Sequence, residues 1–189
     1  MDVYEAIEKR RTIRRFTAPP TKDQLSRILK AGSLAPSPFN RQGWDVVVVE
    51  DLALLQKIGE IKRRLTLELG PPLSGAVEDM SRRQQEAFTN TVLLVIYQRI
   101  GKNPREIRFD GGGAWLLMEN ICLAAVAEGL GTRIVSFWDW AEEEVNRLLL
   151  VPEDKKQVSA INIGIPDIRE DIRPRSLKVI EQWVHWNHF

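Results

Sequence analysis

Thr91-Val92-Leu93-Leu94-Val95-Ile96-Tyr97 is an unbroken apolar run of strand length. Because it does not alternate with polar residues, it predicts a strand buried on both faces, and therefore a central one. Downstream, after a polar connection through Pro104, Gly111, Gly112 and Gly113 precede an apolar segment, Ala114 to Ala127, that closes at Gly129-Leu130-Gly131. It predicts a core helix that opens at the glycines, with Asp110 capping its start, and ends on a glycine C-cap. Arg133 to Phe137 predicts a short strand, Asp139 with Glu142 the capped start of a helix reaching Leu150, and Val158 to Ile163 a further buried strand. Upstream, the β-branched Trp44 to Val49 predicts a strand, and Leu54, Leu55, Ile58, Ile61 and Leu65 a helix stopped by Gly70-Pro71-Pro72. Ser74 to Asn90 is polar and weakly patterned, a candidate lid. Earlier still, Thr21-Lys22-Asp23-Gln24 is a capping box ahead of Leu25, Ile28 and Leu29, and Val3, Ala6 and Ile7 follow a candidate Asp2 N-cap.

Helices and strands intermix, with no repeat or linker that would divide the 189 residues, so one domain over residues 1–189 is expected. Area scaling gives roughly 9,200 Å² exposed for a compact chain of this size, about 70% of the open-chain surface being buried. The 27 Lys and Arg against 26 Asp and Glu leave a net charge of +1, which argues against a nucleic-acid or membrane-surface partner. A single cysteine, Cys122, excludes an internal disulfide framework and a cysteine-rich zinc site and fits a reducing compartment. The opening residues lack a signal-peptide pattern and no apolar run reaches the ~20 residues of a membrane span, so a cytoplasmic location is expected. The tail from Asp167 to Phe189 carries Val179, Ile180, Trp183, Val184 and Trp186, too apolar to hang free.

Three stretches carry candidate chemistry. Lys9-Arg10-Arg11-Thr12-Ile13-Arg14-Arg15 places five cations in seven residues of a nearly neutral chain. Arginine forks beside a hydroxyl suit a phosphate, while a basic helix end that complements the dipole, or contacts nucleic acid, is the competing reading. Ala35-Pro36-Ser37-Pro38-Phe39-Asn40-Arg41-Gln42-Gly43-Trp44 presents a hydroxyl and two amides on a proline-stiffened loop, either a plain turn or a surface for a planar heterocycle. Gly129 to Ser136 runs from a helix end into a strand, a structural cap or a place where backbone amides meet a ligand. His185, His188, Trp138, Trp140, Trp183 and Trp186 read as surface, packing or interface groups, and Cys122 as a small core residue.

In their order and spacing, "RRTIRRF", "APSPFNRQGW" with "DVVVVE", "ENICLAAVAEGLGT", "INIGIP" and "RPRS" resemble the nitroreductase family of flavin mononucleotide (FMN) oxidoreductases over nearly the whole chain. The resemblance implies an α+β, three-layer fold: a mixed, mainly antiparallel sheet flanked by helices. It also implies an intertwined homodimer with FMN in two interfacial clefts and residues 167–189 as an arm on the partner. Carried over by position, Arg10, Arg11, Thr12 and Arg14 fall on phosphate and ribityl contacts, with Arg14 extending to the N1 and O2 edge of the ring. Pro36, Ser37, Pro38 and Asn40 fall on the loop from the other subunit, Val135 and Ser136 near flavin N5, and Arg173 and Arg175 on C-terminal phosphate ligands. NADH or NADPH would reduce the flavin, and a nitroaromatic, quinone or related acceptor would reoxidise it in ping-pong fashion, with no catalytic side chain. The resemblance also admits a flavin-consuming or flavin-reducing relative. Two departures stand out: Gly43 where the family has proline, and no glycine in residues 134–136.

Overall fold

The run from Thr91 becomes β3 (Val92–Arg99), whose first seven residues are buried, in a computed structural model that describes residues 1–69, 76–167, 169 and 175–189. β3 pairs antiparallel with β2 (Trp44–Val49) on one side and with β5 (Lys155–Pro166) on the other. Beyond β3, β5 also carries β4 (Gly131–Val135) and, at its far end, β1 (Phe16–Ala18), both antiparallel. The Thr17 hydroxyl donates to the Ile165 carbonyl across 148 residues of sequence. The parallel component of the sheet among the described residues is a single bridge between Thr12 and Thr132.

The period of two along β3 sorts its side chains into two cores. Val92, Leu94 and Ile96, with Ile161 and Ile163, pack against Leu25 and Ile28 of α2 (Lys22–Ser33) and Leu117, Met118 and Ile121 of α5 (Pro104–Ala127). Leu93, Val95 and Tyr97, with Val135 and Ala160, meet Leu55, Ile58, Ile61 and Leu65 of α3 (Leu52–Leu69) and Ala141 and Val145 of α6 (Trp140–Leu148). The three layers and the α+β class are those the family resemblance implies. α1 (Val3–Lys9) begins at Asp2, whose carboxylate accepts from Glu5 N at 2.9 Å. At the head of α2, Thr21 Oγ1 accepts from Gln24 N while Thr21 N donates to Gln24 Oε1, a complete capping box.

Four expectations need correction. α5 begins at Pro104, well before the glycines where its start was expected: Pro104 occupies its first turn and the Asn103 side chain accepts from Glu106 N at 3.0 Å. Its three glycines lie inside the helix, held by packing that overrides their weak propensity, and Asp110 is an interior helical residue, not a cap. β4 runs over 131–135 rather than 133–137, because it follows its antiparallel register with β5. α6 starts where expected, but Asp139 makes no side-chain cap bond and has φ 51°. Within the polar stretch Ser74 to Asn90, the candidate lid, the chain forms α4 (Ala76–Glu86) packed on α3, with residues 70–75 outside the described part.

Candidate functional site

The basic segment leaves α1 at Lys9, which pairs with Glu5 at 2.6 Å and so belongs to an exposed helix face. From there the chain is extended along β4: Ile13 N donates to Thr132 O at 2.9 Å, and Ile13 is buried while Thr12 and Arg14 on either side are exposed. Gly131 makes this contact feasible, since a Cβ there would fall 2.6 Å from Ile13 Cγ1. Arg10 and Arg11 are half-buried. Arg175, near the far end of the chain, donates to the Arg10 carbonyl at 2.5 Å. Arg173 lies outside the described residues.

At the other end of β4, Val135 is buried and Ser136 exposed. The Ser159 hydroxyl donates to Val135 O at 3.0 Å and lies 3.2 Å from the Ser136 hydroxyl, and Lys62 Nζ donates to Ser136 O at 2.9 Å. On the same strand Arg133 is 4% exposed. It donates to Gln84 O at 3.1 Å and to Gln84 Oε1, and its guanidinium lies 5.7 Å from the Phe88 ring centroid. Burial, and then the charge of Arg14, pulls its pKa down to about 10. The basic segment, joined by Arg175, thus lies at the Gly131–Thr132 end of β4, and Val135 and Ser136 stand at its other end.

Pro36 to Asn40 stands elsewhere, packed on α5 beside Gly113. Pro38–Asn40 is a 3-10 turn, and Phe39, Asn40 and Gln42 have φ of 52°, 53° and 46°, a conformation that costs non-glycine residues about 1 kcal/mol or more each. The bend is held from within by Gln42 N donating to Ser37 Oγ at 3.0 Å and Gln42 Nε2 to Asn40 Oδ1 at 3.1 Å. It is held from below by Arg41, which reaches Asp110 at 3.1 Å and Glu106 at 3.8 Å. The Asp110 side chain is 1% exposed, and its Oδ1 lacks a hydrogen-bond partner. The place a Cβ of residue 43 would occupy is 2.7 Å from that same Oδ1. A carboxylate thus fills the space beside Gly43, which accounts for the glycine at a position where the sequence resemblance expects proline.

Sequence reasoning missed Lys62, Arg133, Gln84 and the Arg41–Asp110 pair. Lys62 did leave a signal, since it stands four residues after Ile58 and three before Leu65, inside the apolar stripe of α3. Other residues are structural, as the sequence suggested. Burial pushes the Cys122 thiol up to about 11, and Trp140 donates to Glu68 at 2.7 Å with Arg64 stacked on its ring. Among the described residues no cluster of metal-ligand side chains forms, and no helix is long and apolar enough to cross a membrane.

The segment from Arg10 to Arg14 lies along β4 through Thr12 and Ile13, and Arg175 joins it at the Arg10 carbonyl. The sequence profile of the nitroreductase family matches residues 7–165. The chain belongs to the nitroreductase family. It is 26% identical over 187 residues to an iodotyrosine deiodinase of Thermotoga neapolitana, covering 94% of this chain and 96% of that protein. It is 26% identical over 203 residues to an NADH dehydrogenase of Thermus thermophilus, covering 98% and 96%. Its fold matches the crystal structure of an iodotyrosine deiodinase bound to FMN and 3-iodo-L-tyrosine, with TM-score 0.77, 25% identity and full coverage of both chains.

Proposed function

We propose that this nitroreductase-family protein is a cytoplasmic, homodimeric, FMN-dependent NAD(P)H oxidoreductase that reduces nitroaromatic, quinone or related electron-poor acceptors. The observation that carries the proposal is the seating of the Arg10–Arg14 segment along β4 through Thr12 and Ile13, with Arg175 bonded to the Arg10 carbonyl. In a chain of net charge +1 such a local concentration of guanidinium groups is suited to a bound phosphate. FMN, when bound, would supply the hydride and electron-transfer chemistry between the nicotinamide and the acceptor. Arg10, Arg11, Thr12 and Arg175, with Arg173, would hold its phosphate and ribityl chain through charge-assisted bonds. Arg14 would supply positive charge toward the ring, and the backbone of Val135 and Ser136 would offer it hydrogen-bonding groups.

The loop of Pro36, Ser37, Pro38 and Asn40 packs on α5 and makes no hydrogen bond or ion pair with the basic segment among the described residues. In this reading it completes the cleft of the partner subunit. A dimer is further supported by exposed surface. The chain alone exposes 12073 Å² against the roughly 9,200 Å² of a compact monomer. The excess is apolar in places: Phe109, Trp115 and Leu116 on α5, Phe39, and Leu177, Trp183 and Trp186 in residues 175–189 are all exposed. Residues 167–189 are then the arm that lies on the partner.

The deciding experiment is the absorbance spectrum of purified protein, followed by anaerobic NADH or NADPH and then a nitroaromatic or quinone. Bleaching and recovery of a stoichiometric flavin band are expected, and a colourless protein that takes up no added FMN refutes the reading. A second reading, reductive dehalogenation, is favoured by the similarity to an iodotyrosine deiodinase across the whole chain. Adding 3-iodo-L-tyrosine to the reduced protein, with release of iodide as the readout, separates the two.

A further inference from the structure

Lys62 is 8% exposed, buried at the middle of α3 among Ile58, Ile61 and Leu65. Its ammonium ends on the turn just beyond β4: 2.9 Å from Ser136 O, 4.8 Å from the Trp138 ring centroid and 5.8 Å from that of Phe137. One cation thus touches three consecutive residues. Among the described residues no ion pair joins Lys62 to a carboxylate, and the charge that acts on it is that of Arg133, which repels it. Burial, with Arg133 second, draws its pKa down to about 8. A cation whose oxygen partner is one backbone carbonyl is an unfavourable way to build a core, where methionine or leucine would pack without desolvating a charge. What the lysine provides that an apolar side chain cannot is direction. It turns the Ser136 carbonyl toward α3, so the N–H of the same trans peptide, that of Phe137, faces the opposite side. It also places positive charge directly behind the backbone of Val135 and Ser136.

We infer that Lys62 is a positioning residue for the reactive edge of the flavin: through the Ser136 carbonyl and the Trp138 ring it fixes the 135–138 backbone and adds positive charge behind it. This rests on the proposed binding of FMN. The ammonium touches no reacting atom and acts through the peptide it holds and through its field, which favours the reduced, more negative cofactor. Trp138 is 36% exposed, and its contact with the ammonium holds the ring against the turn.

The test uses the full-length FMN-loaded protein with Lys62→Met and Lys62→Arg. Lys62→Met is expected to bind FMN and unfold no earlier than wild type, yet to show a lower flavin midpoint potential. Its kcat with a fixed quinone is expected to fall about tenfold or more, the KM for the nicotinamide staying within threefold. Lys62→Arg, which keeps the charge, should recover the potential and most of kcat. Should Lys62→Met fail to fold, Lys62→Gln serves as the neutral variant with the same readouts. A neutral variant with wild-type potential and kcat overturns the role of Lys62 while leaving FMN binding standing. A wild-type protein that takes up no FMN overturns both.

Discussion

Replacing Gly43 with alanine tests how the 36–43 loop is seated on α5 through Asp110. The backbone at Gly43 is outside the left-handed region, so by itself the change would stabilise by roughly 0.4–1 kcal/mol through the unfolded chain. The added methyl, however, would stand 2.7 Å from both Cγ and Oδ1 of Asp110, closer than real contacts allow. Asp110 has little room to retreat: its side chain is 1% exposed, lies on a core helix and is tied to Arg41. Overpacking of this kind costs about 1–3 kcal/mol, which leaves a net loss of about 1–2 kcal/mol after the backbone gain. The loss should disappear in an Asp110→Ala background, where the obstacle is gone, giving a coupling of about 2 kcal/mol. Urea unfolding of the four proteins at one fixed concentration measures it, with FMN affinity recorded in parallel because the strained bend at 39–42 would shift with the loop. Equal midpoint shifts for Gly43→Ala in the two backgrounds would show that the carboxylate does not occupy that space and refute the account of the glycine.

Arg14→Ala is expected to weaken FMN binding and lower the flavin potential, and an unchanged potential in a dye-coupled titration would count against its place at the pyrimidine edge. Leu116→Arg puts a charge on the exposed face of α5 and should yield a monomer by sedimentation with FMN lost alongside; a flavin-loaded monomer would contradict a shared cleft. Because the Lys62 pKa is depressed to about 8, the unfolded chain binds more protons between pH 8 and its ordinary 10.5. The penalty is therefore full below pH 8 and relieved as pH rises through that window, so the excess Tm of Lys62→Met over wild type should shrink there. Comparison with the variant is needed because burial raises Tyr97 to about 12, which works in the opposite direction above pH 10. Thr21→Ala should lower stability by about 1 kcal/mol through loss of the α2 cap, read as a shift in urea midpoint at constant m.

Much of the fold was legible because its signals are local. The unalternating 91–97 run, the Thr21 capping box and the periodic stripe of α3 each name an element without reference to the rest of the chain. What was not legible depended on partners far away in sequence. The start of α5 was misplaced because three glycines look like a break until packing against Trp44 and Ser37 is known. The basic segment stood out in the sequence by its charge, but its seat on β4 rests on a bridge from Thr12 to Thr132. The Arg41–Asp110 tie and the Lys62 contact join residues separated by about 70 positions, and polar residues in apolar stripes are the faint trace such ties leave.

The long reach of β5 has a bearing on biogenesis. The seat for the N-terminal arginines is made by β4 and by β1, and both strands hang from the last strand of the sheet, Phe16 facing Pro166 and Thr132 facing Ile163. A nascent chain therefore emerges with its most basic residues unhoused, and they stay so until β5 has left the ribosome. Closing such a loop late is slow. A cofactor that bridges these arginines would arrive as one of the last pieces of the assembly rather than as a template for its beginning.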